Sequence, residues 1–196
     1  MRRNKTEKRI EKITRVIKSR QHSLTVVFEN IHDPHNVSAI FRTCDAVGIP
    51  KVNLIYNSET FPKIGKKSSA SAFKWVEKTK YKTVDKCYSD LRNNGFKIYA
   101  SSLNENSKNL YDLDLTQKVA IVVGNEHRGV SEEAAKLADE VFLIPQIGMV
   151  QSLNVSVATA VILYEAMRQR MKKGMYKKSE MDDSALEKMI DEWCVK

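Results

Sequence analysis

The helix that follows Asn154 constrains the fold most, because its sequence is apolar or small around its whole circumference. It is predicted to run from Val155 to about Met167. Its apolar and small residues are Val155, Val157, Ala158, Ala160, Val161, Ile162 and Leu163. A helix that is hydrophobic on all sides must be covered on all sides. In a chain of 196 residues, this predicts a sheet against one face and a second subunit against the other.

Strand-like and helix-like segments alternate along the chain. Six short segments are predicted as strands, at residues 24–28, 52–56, 73–77, 96–100, 119–123 and 141–144. Longer helices are predicted at 36–47 and 84–94. This alternation is typical of an α/β fold with a mostly parallel sheet covered by helices on both faces. We expect a core at 21–170 between a basic helical extension at 1–20 and a helical C-terminal extension at 171–196.

The composition argues against a secreted or membrane protein. The three cysteines, Cys44, Cys87 and Cys194, form no CxxC pair, and their odd number does not fit a disulfide framework. The N-terminus lacks the apolar segment of a signal peptide, and no apolar run approaches the roughly 20 residues of a membrane helix. We therefore expect a cytoplasmic protein that does not interact with a membrane.

Positive charge is concentrated in three segments. Residues 1–20 hold nine Lys and Arg against two acids, residues 166–178 hold six against none, and residues 63–82 hold seven against one. Clustered positive charge indicates a polyanionic partner, although a generally basic, solvated surface would give the same counts. Because there is no recognisable set of base-stacking aromatic residues, the charge indicates contacts to phosphates rather than sequence reading.

Three loops are expected at the carboxyl edge of the sheet, after residues 28, 123 and 144. Ligands of parallel α/β sheets bind at this edge. The loops contain polar residues between apolar ones, which suggests a pocket wall. A nucleotide-like ligand would fit, but the chain has neither the GxGxxG fingerprint nor the P-loop lysine motif.

These loops carry three motifs, at residues 36–43, 121–130 and 144–156. In order and spacing they resemble the SpoU family of RNA 2'-O-ribose methyltransferases, within the SPOUT superfamily, and the similarity runs from about Leu24 to Tyr176. The lead-in at 33–36 and the segments 148–151 and 163–170 are most similar to the branch that methylates tRNA guanosine.

The resemblance implies S-adenosylmethionine as methyl donor, a deep trefoil knot in the C-terminal part of the sheet, and a homodimer. The implied partner is tRNA rather than DNA, and the implied target is the 2'-hydroxyl of a guanosine in the D-loop, at tRNA position 18. The alternatives are methylation of ribosomal RNA or of another tRNA position, or a non-catalytic RNA-binding protein that keeps the fold.

The resemblance also assigns a set of catalytic residues: Arg42, Asn36, Glu126, Ser152 and Asn154. In the family the arginine is proposed to activate the ribose hydroxyl. A guanidinium with a pKa above ~12 is a poor base, so binding phosphate or stabilising an alkoxide is physically easier. From sequence alone the others have simpler explanations: Asn36 as a helix N-cap, Glu126 as a solvated loop acid, and Ser152 and Asn154 as caps of the last helix.

Two further sets follow from the resemblance and from charge. By resemblance the methyl donor would be held by Ser101, Leu103, Gly124, Ile144, Met149 and Leu153. Candidate RNA-binding residues are Arg9, Arg15, Arg20, Lys66, Arg168 and Lys172. We expect no metal, because His32 and His35 are separated by a proline and have no evident third ligand.

Overall fold

In the computed structural model, residues 5–64, 72–104 and 106–195 are described. Seven strands form one sheet in the order β3-β2-β1-β6-β4-β7-β5, and every pairing between neighbouring strands is parallel. The strands are β1 Leu24–Glu29, β2 Lys51–Ile55, β3 Glu77–Tyr81, β4 Lys97–Ser101, β5 Lys108–Asn109, β6 Val119–Val123 and β7 Glu140–Leu143. The predicted α/β class with a parallel sheet is therefore confirmed.

Helices cover both faces of the sheet, as predicted. They are α1 Glu7–Lys18, α2 Pro34–Ala46, α3 Ala72–Trp75, α4 Val84–Asn93, α5 Glu132–Leu137, α6 Val155–Lys172 and α7 Asp183–Val195. The central strands β1 and β6 are buried along their whole length. Consecutive residues point to opposite faces: Val26 belongs to the hydrophobic cluster under α2 and α6, and Val27 to the cluster under α4 and α5. Such continuous apolar strands are typical of a sheet buried on both faces.

The predicted strand at 73–77 is wrong. Ala72–Trp75 is a short helix, and the strand begins only at Glu77. Apolar residues alternate here because their side chains pack against different partners. The Phe73 ring stacks on Phe41 with centroids 4.1 Å apart, and the Trp75 ring lies 4.7 Å from that of Trp193. The edge strand that follows carries lysines, a common protection of an exposed sheet edge.

The two ends of the chain pack together. Ile13 and Ile17 of α1 form a small hydrophobic cluster with Leu186, Ile190 and Trp193 of α7. The predicted boundary between residues 170 and 171 falls inside α6, which continues to Lys172. The division into core and extensions stays a prediction, as does the knot.

Among the described residues, helix α6 is covered on only one side. Thr159, Ile162, Leu163 and Ala166 face the sheet and are buried. On the outer side Val157, Tyr164 and Met171 are 49%, 53% and 56% exposed. The sheet thus covers the inner side of α6, as the sequence predicts, and the predicted cover of the outer side by a second subunit stays a prediction. Among the described residues, no helix is both long and apolar enough to span a membrane.

Candidate active site

The Glu126 carboxylate joins two of the three loops at the carboxyl edge of the sheet. It follows β6 and accepts hydrogen bonds from the backbone N–H groups of His32 and Asp33 after β1, both at 3.0 Å. The Asn36 side chain donates a third bond to it, also at 3.0 Å. Glu126 is therefore a structural acceptor and not the solvated loop acid of the simpler interpretation.

Asn36 also contacts the third loop. Its side-chain oxygen accepts a hydrogen bond from the amide of Asn154 at 3.1 Å. Asn154 in turn caps α6, because its side-chain oxygen accepts from the N–H groups of Ser156 and Val157. We call Glu126, Asn36 and Asn154 the loop-joining triad.

Of the two simple explanations for the asparagines, that each caps a helix, one fails and one holds. Asn36 is not an N-cap: α2 begins at Pro34, and Asp33 caps it by accepting from the N–H of His35 at 2.7 Å. Asn36 lies in the first turn, where its nearly buried side chain reaches the other two loops. Asn154 is a cap as predicted, and it also contacts Asn36.

The hydrogen bonds set the charge of Glu126. Partial burial would raise the pKa of its carboxyl group, but the bonds from Asn36 and from the N–H groups of His32 and Asp33 outweigh this and lower the pKa below its ordinary value. The group is therefore ionised at neutral pH. It can orient donors, but it is not a proton donor.

The loops surround a cavity of about 510 Å³. Five of the six residues predicted to hold the methyl donor line it: Ser101, Leu103, Gly124, Ile144 and Leu153. Glu126, Ser152 and Asn154 line it as well. Met149 does not, since its side chain is 100% exposed outside the cavity. The assignment of Met149 to the methyl donor stays a prediction.

Gly124 is required by the closeness of two backbone segments. Residues 125–129 form a hairpin in which the N–H of Asn125 donates to the carbonyl of Gly129 at 2.9 Å and the reverse bond is 2.8 Å. A Cβ atom on Gly124 would lie 2.1 Å from the carbonyl carbon and oxygen of Gly129. No side chain fits there, so position 124 requires glycine, and Gly124 lines the cavity.

Two buried asparagines that the sequence reasoning missed hold these loops. Asn30 has a φ of 52°, and its side-chain oxygen accepts from the N–H groups of residues 57, 58 and 59. Its carbonyl accepts from the amide of Asn125 at 2.8 Å. Asparagine is among the few residues that tolerate this conformation, so an Asn directly after a strand was the available signal.

Arg42 stands apart from the cavity in the single chain. It lies on α2 with an exposed side chain, and it is not among the residues that line the cavity. Of the five predicted catalytic residues, four therefore meet at one place, and the arginine does not.

The predicted RNA-binding residues fall into three groups. Arg9, Arg15, Arg168 and Lys172 are exposed, with Arg9 lying over the Trp75 ring and Arg168 paired with Glu165 at 2.8 Å. Lys66 lies outside the described residues. Arg20 was assigned wrongly. It is 1% exposed and donates to the Ile49 carbonyl at 2.7 Å and to Asp45 at 2.5 Å, so it cannot contact RNA.

In the described ranges no group of three or more His, Cys, Asp or Glu side chains could hold a metal ion. The contacts of the two histidines that invited a metal interpretation are as follows. The His32 ring lies 3.6 Å from the Glu59 carboxylate, and the backbone N–H of His35 donates to the Asp33 carboxylate.

The sequence places this parallel sheet and its three joined loops in a known family of RNA methyltransferases. The model of the SpoU rRNA Methylase family matches residues 23–164, and the chain belongs to that family. The resemblance expected from the three motifs is therefore confirmed.

Individual relatives extend the similarity to nearly the whole chain. The chain is 43% identical to a tRNA (guanosine(18)-2'-O)-methyltransferase of Thermus thermophilus over 191 residues, 97% of this chain and 98% of the relative. The crystal structure of the A. aeolicus TrmH/SpoU tRNA modifying enzyme has a TM-score of 0.89 at 40% identity, with 96% of each chain covered. The SpoU methyltransferase AviRb from Streptomyces viridochromogenes, solved in complex with the cofactor AdoMet, has a TM-score of 0.68 at 26% identity over 79% of this chain and 60% of that one.

Proposed function

We propose that this protein transfers a methyl group from S-adenosylmethionine to the ribose 2'-hydroxyl of guanosine 18 in the tRNA D-loop. The observation that carries the proposal is the loop-joining triad at the cavity, on a chain 43% identical over nearly its full length to a tRNA (guanosine(18)-2'-O)-methyltransferase.

The cavity fits S-adenosylmethionine. Its volume of about 510 Å³ falls within the ~300–1,000 Å³ of small-ligand sites, which combine apolar walls with a few polar groups. Leu103, Ile144 and Leu153 supply apolar walls, Ser101 supplies a hydroxyl group, and Gly124 supplies open backbone. When bound, the sulfonium provides an electrophilic methyl group.

Methyl transfer forms an oxygen–carbon bond, breaks a sulfur–carbon bond and releases the hydroxyl proton to solvent. The main demand on the protein is alignment of the three reacting atoms. Glu126, Asn36 and Asn154 fix the loops that set this alignment, and Ser152 lies on the cavity wall where the ribose would enter. Arg42 would bind phosphate or stabilise the developing alkoxide, because an arginine keeps its charge at neutral pH.

We further propose a homodimer with α6 at its interface. Besides Val157, Tyr164 and Met171, the loop before α6 exposes Ile147, Met149 and Val150 by 98%, 100% and 62%. Large contiguous apolar patches mark interaction sites. A second copy of the chain would cover the outer face of α6, which the sequence predicts must be covered.

The tRNA would be held through its phosphates by exposed basic residues near both ends of the chain: Arg9, Arg15, Arg168 and Lys172. As a tRNA-modifying enzyme, the protein would act in the cytoplasm.

A second candidate is the same chemistry on ribosomal RNA, favoured by the description of the matching family. Incubation with a radiolabelled methyl donor and defined RNAs, followed by mapping of the labelled nucleotide, separates the two. We expect label in tRNA at guanosine 18. Label in ribosomal RNA with unlabelled tRNA would overturn the substrate assignment, and no label in either would favour a non-catalytic RNA-binding protein.

A further inference from the structure

The hairpin at residues 125–129 carries an arginine, Arg128, that the reaction described above does not use. Its side chain is 60% exposed. It lines both the 510 Å³ cavity and a second cavity of about 440 Å³ on the other side of the hairpin. Arg128 therefore lies at the rim where a nucleotide would enter beside the methyl donor.

The side chain of Asn125 fixes the backbone of Arg128. The side-chain oxygen of Asn125 accepts from the N–H groups of His127 and Arg128 at 2.9 and 3.3 Å. Its amide donates to the carbonyl of the buried Asn30. The hairpin is thus tied to the end of β1, and the position of the Arg128 Cα is set by buried groups.

The side chain of Arg128 is held at one guanidinium nitrogen, Nη2, among the described residues. Its Nη2 donates to the Glu59 carboxylate at 2.8 Å and lies 3.4 Å from the Ser58 hydroxyl. The loop that carries Glu59 is itself held by Asn30, whose side-chain oxygen accepts from three consecutive N–H groups. The second Glu59 oxygen lies 3.6 Å from His32 Nδ1, beyond hydrogen-bond distance.

The rest of the guanidinium remains available. Nε and Nη1 of Arg128 donate to no other residue within the described ranges. A guanidinium oriented by a carboxylate at one nitrogen presents its other donors in a fixed fork, the geometry that binds phosphate oxygens.

The surroundings restrict the side from which an anion can approach. The second cavity is lined by Glu29, Glu132 and Glu133, and these carboxylates repel phosphate. The first cavity has Glu126 as its one acidic lining residue among those described, and that carboxylate is engaged by three donors. A phosphate can therefore reach Arg128 from the side of the methyl donor.

We propose that Arg128 binds a backbone phosphate of the RNA strand next to the methylated nucleotide and so anchors that strand at the rim of the cavity. This inference rests on the proposed function. Glu59 would act as a positioning residue that keeps the fork directed at the rim.

The test compares Arg128→Ala and Arg128→Lys with the unchanged protein in tRNA binding, methyl transfer and S-adenosylmethionine binding. For Arg128→Ala we expect the KM for tRNA to rise about tenfold, because a charge-assisted hydrogen bond is lost. The kcat and the affinity for S-adenosylmethionine should stay within twofold. The slope of log K for tRNA against log salt should fall by about 0.7–0.9, the value for one phosphate contact.

Arg128→Lys should keep the salt slope and lose part of the affinity, because the charge remains while the fork is lost. The matched control is Lys97→Ala, which removes one positive charge from an exposed residue at the opposite end of the sheet. It should leave the KM for tRNA unchanged. Thermal unfolding of each variant checks that the fold is intact.

An Arg128→Ala variant with the original KM and salt slope would overturn the inference, as would one whose main defect is weaker S-adenosylmethionine binding. The second result would assign Arg128 to the carboxylate of the methyl donor. If the unchanged protein fails to methylate tRNA, the proposed function is wrong. If it methylates tRNA and Arg128→Ala is silent, only this inference is wrong.

Discussion

At the scale of single residues, Glu126 has the most consequential charge in the site. Its three donors come from the loop after β1 and from the first turn of α2. Because these bonds favour the ionised form, they also couple the stability of the loops to pH.

We expect this coupling to appear as a loss of stability in acid. The folded-state pKa of Glu126 lies below its ordinary value of 4.5. Its contribution is therefore complete above the unfolded pKa and is lost as pH falls through the lower folded value. Glu126→Gln should lower the free energy of unfolding at pH 7 by about 1–2 kcal/mol and flatten its dependence on pH below 4.5.

Urea unfolding at several pH values measures both effects. Glu133→Gln provides the control, because Glu133 is an exposed acid in the first turn of α5. A Glu126→Gln variant that keeps the acid dependence of the unchanged protein would show that other carboxylates govern it.

Gly124 offers a second prediction at this scale. Gly124→Ala would place a methyl group 2.1 Å from Gly129, so the hairpin must move or the chain must open. We expect a loss of more than about 2 kcal/mol in the free energy of unfolding and weaker binding of S-adenosylmethionine. Gly148→Ala is the matched control, since nothing lies within 4 Å of its added Cβ. Equal melting temperatures for the two variants would contradict the close approach.

At the scale of elements, helix α6 carries two arginines with opposite roles. Arg168 is exposed and paired with Glu165, while Arg170 is fully buried. Arg170 donates to the carbonyls of Ser23, Leu115 and Gln117 and to the side chains of Gln21 and Ser23. It thereby joins α6 to the segments that enter β1 and β6.

We expect Arg170→Ala to destabilise the protein by about 3–5 kcal/mol, because it leaves several buried acceptors without a donor. Arg168→Ala should destabilise the protein much less, because the Arg168 side chain is 65% exposed and Glu165 keeps a second donor in Gln169. Chemical denaturation of the two variants measures both losses in the free energy of unfolding. Similar losses for both variants would refute the different roles.

The sequence predicted the core strands but not the buried arginines. The strands in the core were predictable because β1, β2, β4 and β6 are short apolar runs with turn residues between them. The burial of Arg20 and Arg170 was not, because a count of charges does not show which guanidinium groups find buried acceptors. The strand β3 was misplaced because an alternating pattern does not distinguish an edge strand from a short helix whose aromatic side chains pack against different partners.

The candidate site was predictable where a motif fixes it and not elsewhere. Glu126, Asn36, Ser152 and Asn154 came from the family resemblance, and the structure brings them together. Asn30 and Asn125 act through backbone hydrogen bonds between loops distant in sequence, and such contacts leave no pattern in a single chain. The assignment of Met149 stays a prediction, because its loop position in the sequence gave no information about the direction of its side chain, which is exposed in the single chain.

At the scale of the whole molecule, the outer face of α6 carries large residues that the chain leaves half exposed: Val157, Tyr164 and Met171 at 49%, 53% and 56%. Val157→Asp places a charge on this exposed face without entering the core. We expect it to convert a dimer into a monomer in sedimentation velocity and to reduce methyl transfer at least tenfold, because burying an unpaired charge at an interface is strongly unfavourable. Asn93→Asp is the control, because it also adds one negative charge, at an exposed residue of α4 on the opposite face of the sheet. A fully active monomer would separate dimerisation from catalysis.

The most direct test of the central claim uses two tRNA transcripts that differ by one atom, with a ribose or a 2'-deoxyribose at guanosine 18. The protein and radiolabelled S-adenosylmethionine should label the first transcript at that nucleotide and leave the second unlabelled, while binding both with similar affinity. Equal labelling of the two transcripts would contradict the account, because the methyl group would then be going to another atom.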